Sequence, residues 1–290
     1  MKKIWHYLVA GTILLSVTAC GNNPRKTENN MTETNTARNT VTWAGDSVSA
    51  VCELDDVRVC WIRDNVQEKL MPISLFPDAG KNLIDSLSLQ GGIPSTISTF
   101  LVESDGKLIL FDTGMGDKNS RLMEGLRSLN VAPEDIKYIY LTHFHGDHIG
   151  GMLNDNRKVF PNAEIYASQA EYDGWMAMDD NKKQQAVKTM GAYQEQLHLF
   201  AFGDSLPGKV VALDAVGHTP GHTVFQVGKF LIIGDLMHGA ALQLSYPDIC
   251  ASFDMDKAAA IKARKYYIQY AKEQGLVMAG MHLPVPAFLK

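Results

Sequence analysis

The stretch THFHGDH, residues 142–148, places four potential metal ligands within six consecutive residues, directly after a short apolar run. Side chains two apart in extended backbone project to the same face, so His143 and His145 can hold one cation together. Gly146 allows a sharp turn, after which Asp147 and His148 project elsewhere, toward a second ion. Imidazole nitrogen and carboxylate oxygen suit zinc and other borderline first-row metals. A lone histidine in a core is usually structural, but ligands at this density predict a metal site.

Further potential ligands follow predicted strands later in the chain. The glycine-containing turn GHTPGH, residues 217–222, presents two histidines, and Asp235 and His282 each come just after a short apolar run. Loops at strand ends are where a rigid scaffold displays functional side chains. The recurrence of such residues at successive strand ends predicts that they converge on one site.

Strand-like and helix-like stretches alternate from residue 41 onward. The turn signal Asp105-Gly106 separates two β-rich runs and predicts a hairpin. Two groups of strands, each followed by helices, suggest a sandwich with helices outside, and no second linker divides it. The predicted strands are 98–103, 107–111, 136–142, 163–167, 210–216, 223–227, 230–233 and 276–278, and the predicted helical segments are 120–129, 169–199 and 256–274.

The motif series H-x-H-x-D-H, G-H-T-P-G-H, G-D and G-x-H resembles that of the metallo-β-lactamase superfamily. The stretch FDTG, residues 111–114, matches the early D-T-G turn of the same superfamily. The resemblance covers essentially all of a domain spanning residues 41–290. It implies an α/β fold, the αββα sandwich, in a single domain with a two-metal site at one edge.

Carried over residue by residue, the resemblance also implies a set of ligands. The first metal would be held by His143, His145 and His222, the second by Asp147, His148 and His282, and both by the bridging Asp235. His218 and Asp112 are expected to orient the ligand loops rather than to touch a metal. Two divalent ions are therefore expected, with zinc first and manganese, iron or cobalt as alternatives.

Such a site implies a hydrolytic mechanism. Two ions about 3.5–4 Å apart can share a water and lower its pKa toward neutrality, which supplies a hydroxide nucleophile. Asp147, Asp235 and His238 are the candidate catalytic residues. No serine lies in a G-x-S-x-G context, so a serine hydrolase is disfavoured.

The stretch GDLMHGAALQ, residues 234–243, narrows the substrate class. It resembles the branch that contains methyl parathion hydrolase and some acyl-homoserine lactone lactonases. True zinc β-lactamases commonly lack a carboxylate at the place of Asp235, and many lactonases carry tyrosine at the place of His238. The leading prediction is a hydrolase of lactones, carboxylic esters or organophosphate esters, in which His238 either donates to substrate or orients the site. A glyoxalase II-like thioesterase and a non-catalytic metal-bearing surface lipoprotein are the alternatives.

The first forty residues predict export. Residues 1–20 combine a basic start with a short apolar stretch and end in Val17-Thr18-Ala19-Cys20, which looks like a bacterial lipobox. Cys20 would then be lipidated, and the polar residues 21–40 would form a flexible tether. The protein is expected in the bacterial cell envelope, anchored to the membrane by lipid.

Charge and cysteine content limit the partners. A net charge of −5 and a pI near 6.0 disfavour a nucleic-acid partner, so a small-molecule ester or lactone is expected, and a homodimer is compatible with the sequence. Cys52 and Cys60 could pair in an exported chain. Their apolar neighbours and the odd count left once Cys20 is assigned favour buried thiols, together with Cys250.

Overall fold

The computed structural model of the chain describes residues 48–67 and 69–290. The predicted signal segment 1–20 with Cys20, the tether 21–40 and the first residues of the predicted domain lie outside this part of the chain. Within residues 48–67 and 69–290, no helix combines the length and the apolar character needed to cross a bilayer.

The strands fall into two large sheets. Within the described residues, sheet one has seven strands and sheet two has six, and in both sheets the strands lie side by side in chain order. The strands of sheet one are β1 (Ser49–Leu54), β2 (Val57–Arg63), β5 (Ser98–Ser104), β6 (Lys107–Phe111), β7 (Tyr138–Tyr140), β10 (Glu164–Ser168) and β11 (Leu197–Phe200). Those of sheet two are β12 (Ser205–Leu206), β13 (Val210–Asp214), β14 (Thr223–Val227), β15 (Phe230–Ile232), β16 (Val277–Ala279) and β17 (Phe288–Leu289). Two short pairs complete the set: β3 (Lys69–Met71) with β4 (Ile93–Ser95), and β8 (Leu153–Asn154) with β9 (Arg157–Lys158).

Both sheets are mixed. In sheet one β6, β7, β10 and β11 run parallel, and in sheet two β15 pairs in parallel with β16. Parallel neighbours need long crossovers, which here contain helices. The helices are α1 (Lys81–Ser86), α2 (Leu122–Ser128), α3 (Gly146–Ile149), α4 (Gln169–Met176), α5 (Asp180–Ala192), α6 (Ala240–Gln243) and α7 (Lys257–Gln274).

Two apolar clusters hold these layers together. One lies between the sheets and extends beneath α7, with Phe111, Tyr140 and Phe225 in mutual ring contact at its centre. The other lies on the opposite face of sheet one, where Leu126 of α2, Trp175 of α4 and other helix residues cover it. Helices therefore lie outside a pair of packed sheets, which confirms the predicted αββα sandwich.

The structure departs from the sequence-based prediction at segment ends and within residues 49–95, where β1 to β4 were not predicted. The predicted helical segment 169–199 was wrong at its end, because residues 197–200 form β11, a parallel partner of β10 at the sheet edge. The hairpin at Asp105-Gly106 is confirmed, and both residues have positive φ, as its tight turn requires. Cys52 lies in the core between the sheets and Cys60 in the cluster on the other face, and both are free thiols, which confirms that prediction.

Candidate metal centre

The predicted ligands lie together at the ends of neighbouring strands. His143 follows β7, and the short helix α3 that comes next contains Asp147 and His148. The loop between β13 and β14 ends in His222, and the residues just after β15 and β16 supply Asp235 and His282. All are buried except His145 and Asp147, which are partly exposed.

One group of side chains surrounds a point near His145. The Nε2 atom of His143 lies 2.9 Å from Nδ1 of His145, which lies 3.0 Å from Nε2 of His218. One carboxylate oxygen of Asp235 lies 3.7 Å from Nε2 of His143 and 3.4 Å from Nε2 of His218. The ligand atoms of these four residues all lie within 4.8 Å of one another.

A second group faces the other side of Asp235. Asp147, His148 and His282 bring one ligand atom each within 4.8 Å of the others. Asp235 Oδ1 lies 3.1 Å from Nε2 of His148, and its Oδ2 lies 3.1 Å from Nε2 of His282. The carboxylate of Asp235 thus lies between the two groups, where the sequence predicted a bridging residue.

The far ring nitrogens of three histidines are held by oxygen acceptors. His148 Nδ1 lies 2.6 Å from Oδ2 of Asp112, and His282 Nδ1 lies 2.7 Å from the carbonyl oxygen of Thr96. His222 Nδ1 lies 3.1 Å from a backbone carbonyl. An acceptor at Nδ1 keeps the proton there and leaves Nε2 with its lone pair, the arrangement common in metal-ligating histidines. Asp112 has the orienting contact predicted for it.

Burial keeps several of these imidazoles neutral. It lowers the pKa of His143 well below the usual range and that of His145 and His222 to about 3. For His148 and His282 the neighbouring carboxylates outweigh burial and raise the pKa, that of His282 to about 9. His143, His145 and His222 are therefore in the neutral state that binds divalent metals, and a metal bound at the other two rings would displace a proton from each.

The donor set fits divalent ions. Nε2 of His148 and Oδ1 of Asp235 are buried 3.1 Å apart, and neither makes a hydrogen bond within the described residues. Buried polar atoms without hydrogen bonds are costly, and converging imidazole nitrogens have no proton between them when each neutral ring carries its proton on the other nitrogen. A cation between such atoms would give the buried oxygen and the ring nitrogens a partner. Nitrogen and carboxylate donors suit zinc.

The GHTPGH turn departs from the predicted arrangement. Nε2 of His222 accepts a hydrogen bond of 2.9 Å from the backbone N–H of Asp235, whereas Nε2 of His218 points among His143, His145 and Asp235. His222 remains adjacent, with its ring centroid 5.4 Å from that of His143. The sequence identified the right turn, but the orientation of each ring depends on tertiary partners of its other nitrogen.

A further cluster behind the site is not suited to a cation. His218, His238 and Asp254 also lie within ligand distance of one another. However, Arg264 is fully buried and its Nη2 lies 3.1 Å from Oδ2 of Asp254, while Oδ1 of Asp254 lies 2.9 Å from Nδ1 of His218. The guanidinium already supplies the positive charge there. This cluster therefore serves to orient His218.

His238 contacts the central carboxylate. Its Nε2 lies 3.0 Å from Oδ2 of Asp235, and its backbone N–H donates to the side-chain oxygen of buried Gln243. Burial lowers the pKa of His238 to about 4, so the ring is neutral, and the carboxylate oxygen 3.0 Å from Nε2 favours the tautomer that carries the proton there. Gln243 was not predicted as a site residue, because nothing in the sequence pattern distinguishes it from other glutamines.

Glu171 is the most consequential residue missed at the sequence level. It is 1% exposed, and its carboxylate accepts hydrogen bonds from the backbone of Phe144 and of Gly221, one in each ligand loop. Ser168 and Glu171 have the S-x-x-E spacing of a helix capping box, a signal that points to a purely local role. The Ser168 hydroxyl does cap α4. The side chain of Glu171, however, bonds to the two loops instead of completing the capping box.

Comparison with known proteins gives one family match. Residues 92–270, more than half of the chain, match the family described as the metallo-beta-lactamase superfamily. Among curated relatives, an N-acyl homoserine lactonase of Bacillus sp is 26% identical over 178 residues, which cover 51% of this chain and 66% of the relative. An uncharacterised protein of Bacillus subtilis, YobT, is 26% identical over 51% of this chain and 63% of its own length. The chain thus spans less than two thirds of the curated relatives it matches.

Solved structures are similar over a larger share of the chain. AidC, described as a dizinc quorum-quenching lactonase, is 26% identical with a TM-score of 0.76, covering 83% of this chain and 92% of AidC. AbOPH, described as a hydrolase in the beta lactamase superfamily, is 25% identical with a TM-score of 0.74, covering 84% and 93%. The similarity to these two structures covers more than four fifths of the chain.

Proposed function

Because this chain belongs to the metallo-β-lactamase superfamily, we propose that it is a dinuclear metal-dependent hydrolase that cleaves lactone or ester bonds with hydroxide as the nucleophile. The observation that carries the proposal is the pair of ligand groups on either side of Asp235. Zinc is the proposed metal, since the donors are imidazole nitrogens and carboxylate oxygens and the structurally similar AidC is described as a dizinc enzyme.

The residues that would hold the ions are those of the two groups, except that we propose His222 in place of His218, as the resemblance of the GHTPGH motif implies, since Nδ1 of His218 lies against Asp254. We assign His143, His145 and His222 to one ion and Asp147, His148 and His282 to the other, with Asp235 shared. The Nε2 atom of His222 would exchange its backbone hydrogen bond for the ion. Divalent ions bound there would supply Lewis acidity, which would lower the pKa of water toward neutrality and offset negative charge on a substrate oxygen.

Two carboxylates have separate tasks in this proposal. Asp235 is 3% exposed and is surrounded by histidines, so it holds the two ligand groups together. The side chain of Asp147 is 24% exposed, which makes it the carboxylate of the centre that a substrate can reach. Asp147 would take the proton that water loses when it becomes hydroxide, and would return that proton to the oxygen that leaves when the ester bond breaks.

His238 is a positioning residue in this scheme. Its proton lies on Nε2, against the carboxylate of Asp235, and is therefore not free for a substrate carbonyl. We therefore assign it to orienting Asp235, the second of the two roles that the sequence leaves open. Replacement by tyrosine, which many lactonases carry here, tests whether a donor to substrate can be added.

Lactones are the proposed first substrate class. AidC and the Bacillus relative are both described as lactonases, and AidC is similar across more than four fifths of this chain. Carboxylic esters and organophosphate esters need the same hydroxide and the same stabilisation of charge on oxygen. They are therefore the next substrates to examine.

One assay series tests this function on the purified protein. Metal content is measured first, and turnover of a homoserine lactone, an aryl ester, a phosphotriester and a thioester is then followed with and without chelator. We expect about two metals per chain, as a two-metal site requires, and chelator-sensitive turnover of a lactone or ester. Thioester turnover alone would favour the glyoxalase II-like alternative, and metal binding without turnover would favour a non-catalytic lipoprotein.

We also propose that the chain is exported and anchored through lipidated Cys20, on the sequence motif alone. Expressed in a bacterial host, the full chain should enter the membrane fraction and incorporate a labelled fatty acid. Cys20→Ala should abolish both, and incorporation that persists in this variant would contradict the anchor.

A further inference from the structure

We propose that Glu171 is a positioning residue that joins the two loops of the first ligand group and sets the affinity of that group for its metal ion. The inference rests on the proposed two-metal function. The loops concerned are residues 143–148 and 217–222, which are far apart in sequence and come from different sheets.

The carboxylate of Glu171 divides its two oxygens between the loops. Oε1 accepts hydrogen bonds from the backbone N–H of Phe144 at 2.9 Å and from Nε1 of Trp175 at 2.6 Å. Oε2 accepts from the hydroxyl of Thr219 at 2.8 Å and from the backbone N–H of Gly221 at 2.7 Å. Phe144 lies between two ligands of the first loop, and Gly221 directly precedes His222 in the second.

Helix α4 is packed closely against the second loop. The Ser168 hydroxyl donates to the carbonyl oxygen of Gly221 at 2.8 Å. A Cβ atom at Gly221 would lie 2.0 Å from the backbone nitrogen of Glu171, and one at Gly174 would lie 2.5 Å from Cβ of Pro220. These approaches leave no room for the loop to shift toward α4, so the position of the helix limits the position of the loop.

Trp175 connects Glu171 to the imidazole of His145. Its indole N–H is fixed by Glu171, and its ring lies edge-on to the imidazole of His145, with centroids 5.5 Å apart. Glu171 thus acts on His145 through the backbone of Phe144 and through the indole. The second ligand group, which contains His148 and His282, is oriented instead by Asp112 and Thr96.

The carboxylate of Glu171 accepts hydrogen bonds from four donors through two oxygens, whereas an amide has only one oxygen that can accept. In a Glu171→Gln variant the amide oxygen can serve the donors of one side, and the NH₂ group then faces the donors of the other. The hydroxyl of Thr219 can rotate to accept, but the N–H of Gly221 cannot. We therefore expect the amide to disturb the loop that ends in His222 and to leave the Asp112 side intact.

The experiment measures the two stepwise zinc affinities of the full-length protein by chelator competition. Glu171→Gln is compared with wild type and with Glu195→Gln, the same change at an exposed residue. We expect the affinity for one ion to fall by about 10- to 100-fold, as for other residues that orient metal ligands. The affinity for the other ion should match the control, and the Co²⁺ absorption spectrum should change at one site only.

The outcomes separate this inference from the proposed function. Equal weakening of both steps would mean a general structural role, and no weakening would mean no role, so either result overturns the inference. If Glu171→Gln does not fold, Thr219→Val removes a single donor and must show a smaller loss in the same step. Wild-type protein that binds two ions but hydrolyses nothing would refute the function and leave the metal titration decisive for Glu171.

Discussion

Replacement of Asp112 by asparagine isolates one contact that orients a ligand of the second group. Asp112 is fully buried and has a φ of 58°, a left-handed conformation that asparagine also tolerates. Its Oδ1 accepts from the backbone N–H of Thr142 at 2.8 Å, and its Oδ2 accepts from the Thr142 hydroxyl at 2.7 Å and lies 2.6 Å from Nδ1 of His148. The substitution preserves size and backbone while it changes one oxygen into a donor.

The expected loss follows from these hydrogen bonds. The amide oxygen can keep the backbone N–H of Thr142, and the Thr142 hydroxyl can rotate to accept. The proton on Nδ1 of His148 then faces an NH₂ group and loses a charged acceptor, which is worth about 1.5–3 kcal/mol. Since about 1.4 kcal/mol corresponds to a tenfold change, zinc affinity of the second group should fall by roughly 10- to 100-fold.

Chelator competition measures this loss, with thermal unfolding of the metal-free protein as the fold readout. The matched control is Asp55→Asn, because Asp55 also has a left-handed φ of 55° but lies exposed in a hairpin turn. The control should keep both zinc affinities and its turnover. If Asp112→Asn binds zinc as tightly as Asp55→Asn does, the role assigned to the carboxylate is wrong.

Three further predictions use other parts of the molecule. Asp235→Ala should abolish chelator-sensitive turnover and lower the bound metal measured by elemental analysis, and turnover at the wild-type rate would refute the proposed mechanism. Arg264→Met should cost about 3–5 kcal/mol in urea unfolding, because it removes the guanidinium that is paired with the buried carboxylate of Asp254; a loss below about 1 kcal/mol would show that the pair is dispensable. Alkylation of the denatured, unreduced protein should label Cys52 and Cys60, and a disulfide-linked peptide containing both would contradict their separation on two faces of sheet one.

The predicted ligands were identified from local sequence patterns, which can be recognised without knowing the fold. The spacing within residues 142–148 and the position of Asp235 and His282 after apolar runs predicted that these residues converge, and their side chains do lie together in the structure. The N-terminal strands β1 to β4 were not predicted as elements, because short strands are defined by their pairing partners. The end of the segment 169–199 was misread for the same reason, since β11 exists through its pairing with β10.

From the sequence we could predict the family, the sandwich and the residues that come together in the candidate metal centre. Those features depend on residue type, order and hydrophobic pattern along the chain. The orientation of the side chains in the candidate centre depends on tertiary contacts: Asp112 contacts His148, Asp254 contacts His218, and Glu171 joins two loops. The physical reason is that a hydrogen bond requires two groups within about 3 Å at a set angle, a relation that residues distant in sequence acquire only when the sheets and helices pack.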